Sequence, residues 1–184
     1  DLKSHLNKAT PSSTEDALGS DRLAYLRGIR TKEGSPFRVR SSLLGDIINS
    51  TVVYSGAPSK GHTGAGYAAF TTSYGSRTHA VFAGANDGML HAFNATNGEE
   101  LFGYIPSWVV PRLPALADPA YTNAHQNYVD APIAVDEAQV ATSGSATDWK
   151  TVLVSGTGGG GHGQLPEPTG AVCRPRHHRG PAQD

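Results

Sequence analysis

Chemistry begins with side chains whose spacing would let them cooperate, and the most suggestive run in this chain is a glycine loop. Gly156-Thr157-Gly158-Gly159-Gly160-Gly161 follows a strand-like segment and satisfies G-x-G-x-x-G, the pattern that cradles a dinucleotide pyrophosphate. That mechanism needs a helix N-terminus directly behind the loop, to present free N–H groups. His162-Gly163-Gln164-Leu165-Pro166-Glu167-Pro168 will not start a helix, so the run reads as a glycine-rich turn. No nucleotide site is assigned. Asn86-Asp87-Gly88 offers one carboxylate and one amide, too few for calcium, which takes about 6–8 oxygens. It reads as a hairpin turn.

The 8 histidines raise the question of a transition metal. His5, His62, His79, His91, His125 and His162 are scattered, and only His177 and His178 are adjacent. None forms the i, i+4 pair of a helical zinc site, and Cys173 is the single cysteine. They read as solvated or turn histidines. His91, with Leu90 and Ala92 on the opposite strand face, either meets solvent or closes a local hydrogen bond. Asp46, Asp130 and Asp136 could serve as acid–base groups, but no nucleophile elbow, carboxylate pair or histidine partner accompanies them. Asp46 and Asp130 read as turn residues that accept from nearby backbone N–H groups. Arg27, Arg30, Lys32, Arg38 and Arg40 form a basic cluster, read as a solvated face. Phe102, Tyr104, Trp108 and Trp149 read as core or blade-packing residues. No catalytic, cofactor-binding or metal-ligating residue is assigned.

The elements that would position these groups follow from composition and period. The 184 residues suit one domain, hydrophobic residues make up 38%, and Gly (22) and Pro (12) are abundant, favouring short strands and many turns. A net charge of −1 makes no case for nucleic acid or a membrane surface. No apolar run is long enough to span a bilayer. The start at Asp1 without a signal-like stretch suggests a fragment of something longer, an export signal being expected either upstream or not at all.

Residues 1–13 are polar and are expected to have little order. One short helix is expected within 14–27, opened by Ser13-Thr14-Glu15-Asp16 and ended by Gly28. A strand is expected over Thr51–Ser55, and residues 67–74 fit either a strand or a short helix. Thr78–Tyr104 carries the clearest pattern: strands at Ala80–Gly84, Met89–Asn94 and Glu100–Tyr104, joined at Asn86-Asp87-Gly88 and Asn97-Gly98 by primed hairpin turns. Proline-rich residues 105–128 read as an insertion with helical turns near 107–118. Tyr128–Pro132 resumes an extended course, and Trp149–Ser155 is a strand. Residues 164–184 hold almost no apolar side chains and are expected to form no stable structure.

Three stretches resemble the C-terminal propeller of the PilC/PilY family of type IV pilus tip and biogenesis proteins. They are Leu26-Arg27-Gly28 with Glu33, Phe37, Arg38, Arg40 and Ser42–Ser50; Ala83–Asn94 with Gly98–Phe102 and Tyr104-Ile105-Pro106; and Tyr128-Val129-Asp130 with Trp149–Val154 and the glycine run. They span roughly residues 25–163 in the family's order. The resemblance implies an all-β fold, an incomplete β-propeller over 41–163, preceded by a polar segment with a helix over 1–40 and followed by the tail 164–184. It implies a noncatalytic, exported, surface- or pilus-associated protein active in pilus assembly, adhesion and twitching motility. Its partners would be pilus or minor pilin proteins and a host or abiotic surface. Calcium is implied for the parent family through an Asp-x-Asp/Asn-x-Asp loop, which has no match here.

Departures from the family are Val52 after Thr51, Ala131-Pro132 after Asp130, and the tail from Gln164, for which a frame shift or assembly error near Gly161–Gly163 is expected. At about 40–50 residues per blade, about three blades fit, too few to close a ring. An uncovered face of roughly 400 Å² forgoes about 10 kcal/mol, so an isolated chain is expected to aggregate or be partly molten. The alternative reading is a fragment of a quinoprotein-dehydrogenase-like propeller, from the flavour of Asn94–Phe102. Phe102 stands there in place of tryptophan, and no quinone or adjacent-cysteine site accompanies it.

Overall fold

The computed structural model describes residues 2–143 and 146–160. The β-branched and aromatic runs form two antiparallel sheets. Strands β1 (Val53–Ser55), β2 (Ala80–Gly84), β3 (Leu90–Asn94) and β4 (Glu100–Tyr104) make a four-stranded meander in sequence order. Strands β5 (Ala134–Ser143) and β6 (Ala146–Val154) make a separate hairpin. Register follows the alternation of side chains: Val53, Phe82, Ala92 and Phe102 lie opposite one another on one face. A bulge between Ala92 and Phe93 leaves Leu101 without an opposite residue, so Phe93 pairs with Glu100.

The two turns of the meander differ from the primed hairpins expected. Positive φ occurs at Gly88 (93°) and Gly98 (75°), while Ala17 is the only non-glycine with positive φ among the described residues. A type I′ turn needs positive φ at both central positions. Each loop is instead wider, with side chains closing it. The Met89 N–H donates to Asp87 Oδ1 (3.1 Å) and the Glu99 N–H to Asn97 Oδ1 (3.0 Å).

Helix α1 (Leu2–Leu6) forms where little order was expected, because Leu6 buries against Leu113 and Leu116 of the insertion. The Arg22 guanidinium caps it by donating to the Leu6 carbonyl (2.8 Å). Helix α2 (Gly19–Leu26) starts later than the sequence suggested. Asp16 is held outside it by a two-pronged pair with Arg22 (2.5 and 2.8 Å), and Ala17 has a positive φ of 60°. It ends before Gly28, as expected. Residues 67–74 resolve as helix α3 (Tyr67–Tyr74), whose Tyr67, Phe70 and Tyr74 share one face and pack with Trp149 of β6. The insertion is helical, as expected, in 3₁₀ segments at Val110–Ala117 and Pro119–Asn123. Its prolines remove N–H donors and favour these short, tight turns.

The main core gathers Leu6, Leu90, Val109, Leu113, Leu116, Tyr121, Tyr128, Val129, Ile133 and Leu153. It therefore joins α1, the meander, the insertion and the second hairpin. Phe102, Tyr104 and Trp108, read as core or blade-packing residues, are substantially exposed; the first two lie on β4, the edge of its sheet with no strand beyond it among the described residues. Trp149 is buried. The tail from Gln164, including Cys173, His177 and His178, lies outside the described residues, as do Gly161–Gly163 and His162.

Gly88 is where turn geometry and core packing meet. A Cβ there would lie 2.5 Å from Leu113 Cδ2, whereas Gly98, also at positive φ, has nothing within 4 Å. Gly98→Ala is expected to cost only backbone strain, about 1–3 kcal/mol. Gly88→Ala adds overpacking of comparable size, about 1–3 kcal/mol more. Paired urea melts of the two variants check this, and equal losses would contradict the packing contribution.

Candidate functional site

A cleft of about 450 Å³ opens where three parts of the chain meet. One wall is the segment after α2, with Arg38, Leu43 and Leu44. The floor is Gly45–Asp46 against the Asn86-Asp87 turn, and the far wall is the insertion, with Tyr121 and His125.

The floor is assembled by long-range hydrogen bonds from two adjacent residues. Asn86 is 2% exposed. Its N–H donates to the Asp46 carbonyl (3.0 Å), its Nδ2 to Asp46 Oδ2 (3.0 Å), and its Oδ1 accepts from the Tyr128 N–H (2.9 Å). Asp87 accepts from the Gly45 N–H (2.8 Å) through Oδ2. Asp46 thus does more than the local turn role expected of it: its carboxylate accepts from Asn86 and from His125 Nε2 (3.0 Å). Burial pushes the Asp46 pKa upward, but those hydrogen bonds outweigh it and hold the group below its ordinary range. Asp130 also bonds across the fold, accepting from the N–H (3.0 Å) and Nδ2 (2.6 Å) of Asn49. Asp136 accepts from the Glu137 N–H (2.8 Å) and lies apart from both.

His91 does not face solvent; it is 5% exposed. Nδ1 lies 2.6 Å from Glu100 Oε1, and Nε2 lies 3.0 Å from Asp87 Oδ2. Carboxylates only accept, so both contacts are hydrogen bonds only when the ring is an imidazolium. Burial lowers its pKa, yet the bonds and charges of Asp87 and Glu100 outweigh this and raise it. The other histidines do not converge. His79 Nδ1 meets the Tyr54 hydroxyl (2.7 Å), and His62 stacks on Trp149 at 5.0 Å.

The basic cluster is only partly a solvated face. Arg27, Arg30 and Lys32 are exposed, but Arg40 is buried. It pairs with Glu33 (2.7 Å), donates to the Tyr25 carbonyl (2.7 Å) and stacks 3.6 Å from the Tyr25 ring centre. The sequence reading missed Arg77, which donates to the Gly56 carbonyl (2.7 Å) and Thr151 Oγ1 (2.5 Å) and so ties the meander to β6. It also missed Glu137 of β5, buried at 7% and accepting from the Ser59 N–H (3.1 Å) and the Tyr67 hydroxyl. A lone arginine or glutamate between apolar residues carries no local signal of such a partner.

Of the glycine run, Gly156–Gly160 lie within the described residues, and Gly161 with the segment behind it lies outside them. Gly158–Gly160 makes one 3₁₀ turn packed on neighbouring backbone, where a Cβ at Gly158 would lie 2.9 Å from the Asp130 carbonyl oxygen. Among the described residues no group of three or more His, Cys, Asp or Glu side chains could hold a metal ion. No described helix is long and apolar enough to cross a membrane.

The fold and the cleft define an antiparallel β protein whose loops and insertion form a recess lined by both polar and apolar side chains. The PilY1 beta-propeller domain family matches residues 44–166. Similar proteins include the type IV pilus biogenesis factor PilY1 homolog of Xylella fastidiosa (strain Temecula1), 40% identical over 157 residues, covering 80% of this chain and 12% of that protein. The type IV pilus biogenesis factor PilY1 of Pseudomonas aeruginosa (strain PAK) is 42% identical over 160 residues, covering 80% of this chain and 13% of that protein. The chain therefore belongs to the PilY1 β-propeller family, and it spans only a small part of the length of these relatives. No solved structure matches it.

The raised pKa of His91 fixes a pH signature. The stabilisation from the ionised ring is complete below its unfolded value near 6.5 and is lost as pH rises through the higher folded value. The thermal midpoint is expected to fall across that window, and His91→Gln to flatten the fall. An unchanged slope in the variant would contradict the imidazolium assignment.

Proposed function

We propose that this chain is a noncatalytic, incomplete β-propeller of a type IV pilus biogenesis protein, which works by presenting loops to partners. The reading rests on the family match over residues 44–166, which covers both sheets and the insertion between them. The antiparallel meander supports it, as a four-stranded antiparallel sheet is the unit from which propellers are built. Exposed Leu101, Phe102, Tyr104 and Val154 mark surfaces that further blades of a longer chain would cover. The side chains that hold the cleft together spend their hydrogen-bonding capacity on structure, which suits contact and not turnover.

In this reading the whole protein is exported and displayed with type IV pili, its partners are pilin-type subunits and a host or abiotic surface, and adhesion and twitching motility depend on it. Calcium would act elsewhere in the parent protein. The relatives are named biogenesis factors, which favours this reading over the quinoprotein alternative.

The test uses the Pseudomonas aeruginosa relative. Removing the segment matched by this chain is expected to reduce sheared surface pili strongly, and inserting residues 44–160 of this chain in its place is expected to restore them. Normal piliation after removal, at unchanged protein level, would sink the proposal.

A further inference from the structure

We propose that His91 is an acid-closed latch on the edge strand: its imidazolium clamps the start of β4 through Glu100, and loss of the Nδ1 proton releases Glu100 and loosens that strand.

The latch is built by the local shape of the hairpin. The register shift beside Phe93 puts Glu100, and not Leu101, opposite Phe93, which brings its carboxylate within 2.6 Å of His91 Nδ1. Re-aiming a side chain is a recurrent use of a bulge. Gly103 stands opposite His91 in the ladder, and a Cβ there would lie 3.0 Å from Met89 Sδ, 3.6 Å from Glu100 Oε1 and 3.9 Å from His91 Nδ1. A longer side chain would fill the path by which Glu100 reaches the ring. Phe93 stacks on the buried ring at 5.7 Å between centres.

The charged groups against the ring come from two elements, Asp87 from the turn and Glu100 from β4. Strand β2 places Ala83 opposite His91, and β4 places Gly103 there, neither of which titrates. Asp46, which packs on the same turn, spends its carboxylate on Asn86 and His125. A neutral ring can donate to one carboxylate only. The Asp87 side chain is 17% exposed and also holds the Gly45 and Met89 N–H groups, so its departure would strand them. The Glu100 side chain is 50% exposed and turns into water at little cost. The remaining proton therefore stays on Nε2, and the Glu100 contact is the one that breaks. Burial lowers the His91 pKa, but Asp87 and Glu100 outweigh it and raise it, so the latch is closed in acid and opens as pH rises past the ordinary histidine value.

The strand that is released has little else to hold it. All five β4 residues are exposed. Beyond its ladder to β3, its ring contact is Phe102 with Phe82 at 6.4 Å, and its polar side-chain tie to β3 among the described residues is Glu100 on His91. The device follows from this geometry and does not depend on the pilus reading.

Nitrogen-15 NMR of the full chain, labelled at histidine, reads the ring, and hydrogen exchange reads the strand. On raising the pH, His91 is expected to pass from imidazolium to the neutral Nε2–H tautomer. Over the same interval the β4 amides bonded to β3 are expected to lose at least about threefold protection, after correction for intrinsic exchange, while those of β2 keep theirs. Glu100→Gln is expected to remove the pH dependence of β4, because an amide accepts from the imidazolium and donates to the neutral ring. The unmodified chain decides the first two readings alone, so the test does not hang on the folding of the variant. A neutral Nδ1–H tautomer, β4 protection that ignores the His91 titration, or a Glu100→Gln chain that keeps the original pH dependence would overturn the proposal.

Discussion

Everything near the cleft depends on one buried amide. Asn86 satisfies three backbone or side-chain partners at once, reaching Asp46 on one side and Tyr128 on the other. Those partners lie 40 and 42 positions away in the chain. Leaving buried donors or acceptors unpaired costs about 1–3 kcal/mol each, so this single residue controls a share of stability comparable to a large core side chain. Its neighbours extend the constraint. Asp87 holds Gly45 and His91, and Gly88 lets the turn sit directly on Leu113 and Val109. One hairpin turn thereby fixes the segment before β1, the insertion and the approach to β5.

A second set of bonds carries the constraint onward. Asp130 receives both donors of Asn49, and the Thr51 hydroxyl accepts from the Ile133 N–H (2.9 Å) while donating to the Ile133 carbonyl (3.3 Å). The second sheet is therefore held to the first by side chains and not by a shared strand ladder. Arg77 and Glu137 do the same at the other end, through Thr151 and the Ser59–Lys60 loop. Polar groups buried this way are costly to strip of partners, and that cost specifies one arrangement of two small sheets. Such a join suits a module whose faces await further sheets. The edge strand β4 and Tyr54 of β1 remain open to solvent.

What the sequence made legible was local. Strands β2, β3 and β4 follow from short runs rich in apolar and aromatic residues separated by the Asp87-Gly88 and Asn97-Gly98 turns, and the insertion from its prolines. Strand β5 escaped because Asp136 and Glu137 interrupt its apolar run, and Glu137 is tolerated only through partners 70 or more positions distant. The same applies to His91, whose burial depends on a carboxylate four residues before it and another across the hairpin. Helix α1 has no strong signal of its own; Leu6 orders it by docking on Leu113. The cleft was invisible for a related reason. Arg38, Asp46, Asn86 and His125 are ordinary polar residues until the fold brings them together, whereas the turn read from the glycine run is local, and Gly158–Gly160 does form a 3₁₀ turn.

The central claim is that Asn86 locks two distant segments to the hairpin turn, and hydrogen exchange reads this segment by segment. In Asn86→Ala, the amides of residues 44–48 and 125–130 are expected to exchange faster together, while those of β6 keep their protection. Unchanged exchange in both segments, or a uniform rise across the whole chain, would contradict the account.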